Sequence, residues 1–588
     1  MHSAMGFDGN SENWVHGSGA SLIVNGVLIG AASEERFTRV KYEGNFPFHS
    51  IDNLLIKANK HAREVDYVAL AATRQLCLTS YNEVNAVTMY LRNYFPNAKI
   101  VIYEHHTSHA AASFFTSNFN EANILSIDAS GEVRMILDES LQNWGIFGVA
   151  SREDPFITTL SSFYARADNY ARTPNVRKRL GSIGEFYNSL SIVVLRKHAL
   201  EIGNYDTGIL DFQRVREGAS GKVMGLNAYG KDIDFPKNIF RVVKQSKHEM
   251  PTIELDIDFM DRDFHNELFN RFSAADIALW IQQVYENIVI EYIKAIPKSM
   301  KKDYLVMSGG CALNISLNSR ILREGLYKDI HINTAPGDEG LGLGASLLLS
   351  YELGQPVSIP TNIGCIGNSY PGNSLEELGI VVPEEFKNVE IQQQVVSDEV
   401  LYDFISRKLI FNHTVAWFQG ESEFGPRALG NRSIFVSPCF DNKEILNTAV
   451  KKREYWRPYA AIVMEEHCHN WFDLPKKDSH YMLFNSFVKE DKKIQIPGVT
   501  HVDGTCRIQT VNQQLNARAY NLLKSFYEKT EIPLLLNTSF NTLRGEPIVE
   551  TPQDAFISFL NSKIDYLVIN NTIFTRGPKD NLDTKGVI

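Results

Sequence analysis

Glu104–Ser113 reads EHHTSHAAAS. The apolar run Lys99–Tyr103 before it predicts a strand, and the small residues at its end predict a helix. His105 and His109 are four apart, so a helix puts both imidazoles on one face, about one turn from each other. That spacing suits two ligands of one metal ion, with His106 between them pointing elsewhere. A bare HxxxH is also what a solvated helix face looks like, and the residues that follow decide between the two. The run Ala122–Ile127 ends at Asp128 in ILSIDASGE, and the run Asp329–Asn333 ends in the turn APGDEG with Asp338. Each carboxylate then stands at the C-terminal end of a predicted strand, where open α/β sheets bind their ligands. Two His and two Asp form a hard N/O set that favours Fe(II), Mn(II) or Zn(II) over a thiolate-bound structural metal.

At 588 residues the chain is too long for one ordinary domain. A hydrophobic fraction of 44% with 22% charged residues is that of a soluble globular protein. No apolar run reaches the ~18 residues of a membrane helix, and MHSAMGFDGN lacks the pattern of a signal peptide. The six cysteines are scattered without a CxxC pair, which predicts a reduced, cytoplasmic protein. A formal charge of -10 with no basic tract argues against nucleic acid as a partner and favours a cationic small molecule.

Asn25-Gly26 between two apolar runs predicts a hairpin with a type I′ turn. His16, in the Gly-rich loop before it, fits either a catalytic base or a satisfied loop histidine. GSIGEFY (181–187) and GKVMGLNAYG (221–230) read as glycine-punctuated loops, and Ala274–Ile296 as a core helix. Tyr304–Met307 predicts a buried strand opening into SGGCALN, in which Gly309, Gly310 and Asn314 suit a nucleotide. Proline and glycine around 355–372 mark an interdomain connection. We therefore divide the chain into residues 1–355, a linker at 356–390, and a second α/β domain at 391–588.

That second domain has predicted strands at Thr414–Phe418, Ser433–Val436, Thr505–Val511, Pro533–Leu536 and Tyr566–Ile569, with helices Lys443–Lys452 and Asn516–Lys529. Its cations gather at turns and strand ends: Arg427, Lys451, Lys452, Arg453, Arg457, Arg507 and Arg544. The domain is not basic overall, so such a cluster is a local anion site for phosphate or triphosphate. Asn537 and Ser539 add neutral donors.

The strings EERFTRVK, EHHTSHAAAS, GKVMGLNAYG, SGGCALN, APGDEG, GESEFGPRALGNRSI, KKREYWRPYA, HVDGTCRIQT and NTSFNTLRGEPIV follow one another along almost the whole chain. In that order they resemble the O-carbamoyltransferases of natural-product and nodulation-factor biosynthesis, the NodU/CmcH type. The resemblance implies an N-terminal actin-like (ASKHA) domain, as in the tRNA threonylcarbamoylation transferase, followed by a C-terminal YrdC-like α/β domain. It implies carbamoyl-adenylate formation from carbamoyl phosphate and ATP, with Mg accompanying the ATP, in the second domain. The first domain then passes the carbamoyl group to a hydroxyl of a small-molecule natural product, an antibiotic or a toxin.

By the same resemblance Arg427, Lys451, Arg457, Arg507, Asn537 and Ser539 bind the phosphorylated substrates, with Lys451 and Ser539 catalytic, and His16 is the base toward the acceptor. The metal on His105, His109, Asp128 and Asp338 is iron in the family, with Mn or Zn also fitting the ligands. Two departures, Gly17 where the family has Asp and Tyr42 where it has His, fall in the acceptor region. The acceptor pocket is expected beside His16 in the loop Phe7–Gly19, where Asp8, Glu12 and Trp14 suit a cationic, hydroxyl-bearing molecule. The expected partners are this acceptor alone, with no nucleic acid and no membrane, for a monomer or homodimer. A tRNA threonylcarbamoyl transferase would need a basic face, a sugar kinase would leave the HxxxH and second cationic domain without purpose, and a nucleotide-gated scaffold would not consume carbamoyl phosphate.

Overall fold

The structure is a computed structural model of the chain. It describes residues 2–4, 17–71, 89, 91–128, 133–136, 139–152, 157–166, 182–203, 218–244, 246, 248–259, 261–543 and 545–577. His16, Asp8, Glu12, Trp14 and Arg544 lie outside them. Contacts divide the chain into two units: residues 1–34 with 42–359, and residues 35–41 with 360–588. The stretch 356–390 is not a free linker, because Ile363, Cys365, Ile366, Leu378 and Ile380 are buried in it.

The first unit carries strands β1 (His2–Ala4), β2 (Gly19–Val24), β3 (Val27–Ser33), β4 (Tyr67–Ala71), β5 (Lys99–Tyr103), β6 (Glu121–Ile127) and β7 (Val133–Ile136). They continue as β8 (Glu139–Ser151), β9 (Thr158–Arg166), β10 (Phe240–Val243), β11 (Thr252–Leu255), β12 (Tyr304–Ser308) and β13 (Asp329–Ile332). One sheet has the order β3-β2-β1-β4-β5; a second runs β13-β12-β6-β8-β7, with β9 also on β8. In the first, β1 pairs antiparallel with β2 and parallel with β4. In the second, β6 pairs antiparallel with β8 and parallel with β12. The same antiparallel-then-parallel arrangement thus occurs twice. The β2–β3 hairpin turns at Asn25 (φ 50°) and Gly26 (φ 74°), the two positive values that a type I′ turn requires.

Its helices include α1 (Phe48–Lys57), α2 (His105–Phe115), α3 (Ile183–Glu201), α4 (Ala219–Leu226), α5 (Ala274–Ala295), α6 (Ile315–Arg323) and α7 (Leu341–Glu352), with a further helix, Arg262–Arg271, just before α5. Helix α2 packs on β6 and β12, α7 packs on β1, β2 and β4, and the two helices pack on each other. Their approach depends on Gly344: a Cβ there would lie 1.8 Å from the Ser108 carbonyl oxygen. The stretch 221–230 is therefore not a loop, but α4 followed by a 3-10 turn, Asn227–Tyr229. Residues 183–187, likewise read as loop, open α3. Packing of α4 against α3 and α5 outweighs the ~1 kcal/mol that each helical glycine costs.

The second unit is built on one nine-stranded mixed sheet. Its strands are β14 (Ile391–Val395), β15 (Val415–Phe418), β16 (Arg432–Val436), β17 (Ala460–Met464), β18 (Phe484–Phe487), β19 (Thr505–Val511), β20 (Leu534–Ser539), β21 (Tyr566–Ile569) and β22 (Thr572–Arg576). The order is β14-β22-β21-β15-β16-β20-β17-β19-β18. Helices α8 (Asp398–Ile410) and α9 (Ala517–Thr530) close one core around Leu401, Ile405, Trp417, Leu522, Phe526 and Leu535. The expected helix Lys443–Lys452 is shorter and irregular: one α turn, Lys443–Ile445, runs into a π-helical stretch, Leu446–Val450. Among the described residues no helix is long and apolar enough to cross a membrane.

Candidate functional site

Glu104 caps α2, its carboxylate accepting the Thr107 N–H at 2.6 Å, so His105 and His109 sit in the first turns of the helix. Strand β6 delivers Asp128 at its C-terminal end, and the turn after β13 delivers Asp338. Gly309 adopts φ 80° under the Ile127 carbonyl, where a Cβ would lie 2.1 Å from the oxygen. That close approach lets the Gly310 N–H donate to Asp128 Oδ2 at 3.1 Å.

One donor atom from each of His105, His109, Asp128 and Asp338 lies within 4.8 Å of all the others. His109 Nε2 is 3.2 Å from His105 Nε2, 3.2 Å from Asp338 Oδ1 and 3.4 Å from Asp128 Oδ2. His105 Nε2 is 3.7 Å from Asp338 Oδ1. Ligands held about 2.1 Å from one first-row ion stand roughly 3.0–3.4 Å apart along the edges of its coordination shell, so this set fits such an ion. His106 faces Ser126, with Nδ1 3.4 Å from its hydroxyl, and takes no part in the cluster.

The electrostatics agree with a site built for a cation. Burial opposes a charge on His109, but Asp128 and Asp338 outweigh it and push its pKa up to about 9. Burial and the neighbouring His109 push His105 down to about 4. Burial works against the Asp128 charge as well, yet His109 holds its carboxyl well below the usual carboxylate range. A bound metal ion would replace the His109 proton as the positive charge between the two carboxylates.

Of the expected nucleotide residues, Gly309 and Gly310 lie beside this cluster, and Asn314 has a structural task. Its Oδ1 caps α6 by accepting the Leu317 N–H at 3.1 Å, and its carboxamide pairs twice with Gln282, at 2.9 and 3.1 Å. Gly17 (φ 80°) lies against Glu339, and a Cβ on it would be 3.4 Å from Glu339 Oε2. Tyr42 (φ 60°) places its hydroxyl against Gly218, 2.6 Å from where a Cβ would stand.

In the second unit, register brings the expected anion-binding residues together. Ala460 on β17 pairs with Arg507 on one side and Asn537 on the other, so all three stand in one row across the sheet. Side chains directly opposite one another share a face, and the small Ala460 keeps that face open between Asn537 and Arg507. Ser539, two residues on, follows Asn537 on the same face. Lys451, at the end of the π-helical stretch, donates from Nζ to the carbonyls of Ser539 and Asn541 at 2.6 Å each. It also reaches Ser539 Oγ at 3.2 Å and the Asn541 carboxamide oxygen.

The cations in this group strain one another. Burial, with Arg427, Arg453 and Arg457 close by, pushes the Arg507 guanidinium far down from its ordinary range. Burial, then Arg453, Arg457 and Lys41, push the Lys451 ammonium down as well. Arg453 falls to about 10, with burial the main cause. Among the described residues Arg507 Nε is buried without a hydrogen-bond partner. A bound anion would offset the repulsion within such a cluster.

Sequence reasoning missed the residues that hold this cluster. Asn447, fully buried, donates to the carbonyls of Tyr455 and Arg457 at 3.0 and 3.1 Å and accepts from Arg453 Nε at 2.7 Å. Gln509 accepts from Asn537 Nδ2 at 2.8 Å and donates to the Leu429 carbonyl at 2.8 Å. Glu423 accepts the N–H groups of Leu429, Asn431 and Arg432 at 2.8–3.0 Å, which shapes the loop after Arg427. A buried Gln or Glu inside an otherwise apolar strand or a Gly-rich turn was the available signal.

These features define an α/β enzyme with a candidate metal centre in one unit and a cationic anion site in the other. Residues 80–347 match the family Carbamoyltransferase N-terminus, and residues 406–576 match Carbamoyltransferase C-terminus. An uncharacterized protein of Synechocystis sp., sll1178, is 30% identical over 96% of this chain and 95% of its own length. The chain belongs to the carbamoyltransferase family and is an enzyme of that class. It is also similar to nodulation protein NolNO of Sinorhizobium fredii (29% identical, 97% of this chain, 81% of that one). The 3'-hydroxymethylcephem-O-carbamoyltransferase of Streptomyces clavuligerus is 28% identical over 61% of this chain and 65% of its own. Among solved structures, T. kodakarensis HypF covers 62% of this chain and 48% of its own at 14% identity and a TM-score of 0.33, a likeness too slight to bear on function.

Proposed function

We propose that this carbamoyltransferase is ATP-dependent and transfers its carbamoyl group to a hydroxyl oxygen of a small natural product. The second unit, YrdC-like in this reading, joins carbamoyl phosphate and ATP. Water releases carbamate and phosphate from carbamoyl phosphate; a carbamate oxygen then attacks the α-phosphorus of ATP, giving carbamoyl-adenylate and pyrophosphate. The observation that carries this step is the strained group of Arg427, Lys451, Arg457 and Arg507 around the Asn537–Ala460–Arg507 row. Two anionic substrates repel each other, and a fixed set of cations offsets that repulsion.

The first unit, actin-like in this reading, would hold carbamoyl-adenylate and the acceptor. The repeated strand order of its two sheets supports that class. His105, His109, Asp128 and Asp338 would hold a divalent ion, iron by the family resemblance and Mn or Zn by ligand type, which supplies Lewis-acid polarisation of the adenylate phosphate. His16 would take the acceptor proton. The acceptor would be a cationic molecule bearing a hydroxyl, and the protein a cytoplasmic monomer or homodimer with Mg bound to its ATP. The two relatives named for nodulation and for a cephem support a natural-product acceptor. Incubation with Mg-ATP and carbamoyl phosphate should release pyrophosphate without an acceptor, and a panel of hydroxylated metabolites should then reveal the acceptor by the mass of one added carbamoyl group. No pyrophosphate above the ATP-only control would refute the first step.

A further inference from the structure

Asn537 and Gln509 form a pair on the face that carries the anion row. Both are buried, Asn537 at 0% and Gln509 at 3% exposed. Gln509 lies two residues beyond Arg507 on β19, so it shares that residue's face, and Asn537 stands across Ala460. Neither carboxamide is free to turn over. Gln509 Nε2 donates to the Leu429 carbonyl at 2.8 Å, and a carbonyl only accepts, so Gln509 Oε1 is the atom left to face Asn537. Asn537 Nδ2 donates to that oxygen at 2.8 Å and to the Ala428 carbonyl at 3.3 Å. Both N–H groups of Asn537 are therefore used within the protein. Its Oδ1 is buried and, among the described residues, has no hydrogen-bond partner. Composition marked Asn537 as a donor to an anion; what its side chain leaves open is an acceptor.

An acceptor oxygen repels ionised phosphoryl oxygens, so it is out of place in a row built for phosphate alone. Leaving a buried acceptor unmet is costly, and a ligand N–H offsets that cost. In carbamoyl phosphate the phosphoryl and carbonyl oxygens accept, and the amine is the donor. That amine is joined to phosphorus through one oxygen and one carbon. A phosphoryl group held by Arg507 and Lys451 therefore keeps the amine close to the row. The amine also persists when carbamoyl phosphate becomes carbamate and then carbamoyl-adenylate.

We propose that Gln509 is a positioning residue that sets substrate choice: it holds the Asn537 carboxamide so that Oδ1 receives the N–H of a carbamoyl group. The pair thereby selects carbamoyl phosphate over acyl phosphates that lack an amine. An analogue without the N–H leaves the buried oxygen unmet, which is how a site built to hydrogen-bond its substrate rejects one that cannot. This rests on the reading that the second unit takes carbamoyl phosphate, and it adds to that reading the means of recognising the carbamoyl end.

The test uses the full chain and two stable probes, phosphonoacetamide and acetonylphosphonate, which carry NH2 and CH3 at the same place and are titrated calorimetrically. Wild type should bind the amide at least tenfold more tightly than the ketone. Gln509→Met keeps the length of the side chain and removes both of its polar groups, so this ratio should fall at least threefold, through weaker binding of the amide. A smaller wild-type ratio, or a smaller fall in a folded Gln509→Met, would overturn the proposal. Should Gln509→Met not fold, Gln509→Asn, shorter by one methylene, takes its place with the same two outcomes. Titrations of ATP against inosine triphosphate and against 2′,3′-dideoxy-ATP test the other donors, the adenine amine and the ribose hydroxyls. A Gln509-dependent preference among these nucleotides, with none between the phosphonates, would overturn the proposal as well. A Gln509-dependent preference for the amide, in an enzyme that releases no pyrophosphate from ATP and carbamoyl phosphate, would sink the proposed function and leave this inference standing.

Discussion

Replacing Lys451 with methionine keeps its buried stem and removes its ammonium. In the folded protein that ammonium holds two carbonyls, those of Ser539 and Asn541, at 2.6 Å each. Leaving both unfilled costs about 1–3 kcal/mol apiece. Against this stands relief from burying a charge beside Arg453, Arg457 and Lys41, so the net change in stability is small. Substrate binding has no such offset. A charge-assisted bond to a phosphoryl oxygen contributes about 1.5–3 kcal/mol, and at ~1.4 kcal/mol per tenfold that is a loss of roughly 10- to 150-fold in kcat/KM. The assay is pyrophosphate release from ATP and carbamoyl phosphate, with a thermal melt in parallel. Lys451→Arg should recover part of the rate, since it restores charge but not the same reach. A folded Lys451→Met enzyme within threefold of wild type would refute the assignment of Lys451 to the substrates.

His109→Ala should reduce metal content, measured by mass spectrometry after Fe(II) loading, to under a tenth of wild type; equal content would exclude the four-residue centre. Gly344→Ala must move the Ser108 carbonyl, 1.8 Å from the new Cβ, and overpacking of this kind costs about 1–3 kcal/mol. Since His105 and His109 share the helix of Ser108, bound metal should fall along with the melting temperature. Lys451 has its folded pKa below the ordinary 10.5, so between those two values the unfolded chain holds more protons and stability rises with pH. Thermal midpoints should therefore climb from pH 7.5 to 9.5 in wild type, less so in Lys451→Met, and saturating pyrophosphate should flatten the wild-type rise.

The convergence of His105, His109, Asp128 and Asp338 was legible because its logic is local. An i,i+4 histidine pair and carboxylates at strand ends are fixed by helical and strand periodicity, and the fold had only to bring three such ends together. The anion row was legible in composition but not in geometry. Arg507 and Asn537 are neighbours only through Ala460, and register between strands so distant in sequence has no local signature. The misread stretches fail for physical reasons. Glycines 221 and 225 argued for a loop where packing against α3 and α5 holds a helix. Lys443–Lys452 looked helical, yet from Leu446 to Val450 it widens to π geometry, just before Lys451. Where residues 35–41 pack was not legible either, because nothing nearby in sequence announces Gly425 or Glu546 as their partners.

The formal charge of -10 disfavours, at long range, the two anionic substrates proposed. Screening reduces that objection, since charges on the surface fade over ~8 Å at physiological ionic strength while buried ones do not. What a phosphoryl group meets is the local set, and that set is held together against its own repulsion. Sheet register fixes Arg507, the π-helical turn fixes Lys451, and Asn447 fixes the loop of Arg453 and Arg457. None of these restraints depends on a ligand, so the repulsion remains in the free protein, and a bound anion would relieve it. Under the proposed function the first substrate would relieve part of that repulsion, and the second would enter a site whose cations are partly neutralised. Binding of carbamoyl phosphate and ATP should for that reason be coupled even where the two molecules do not touch.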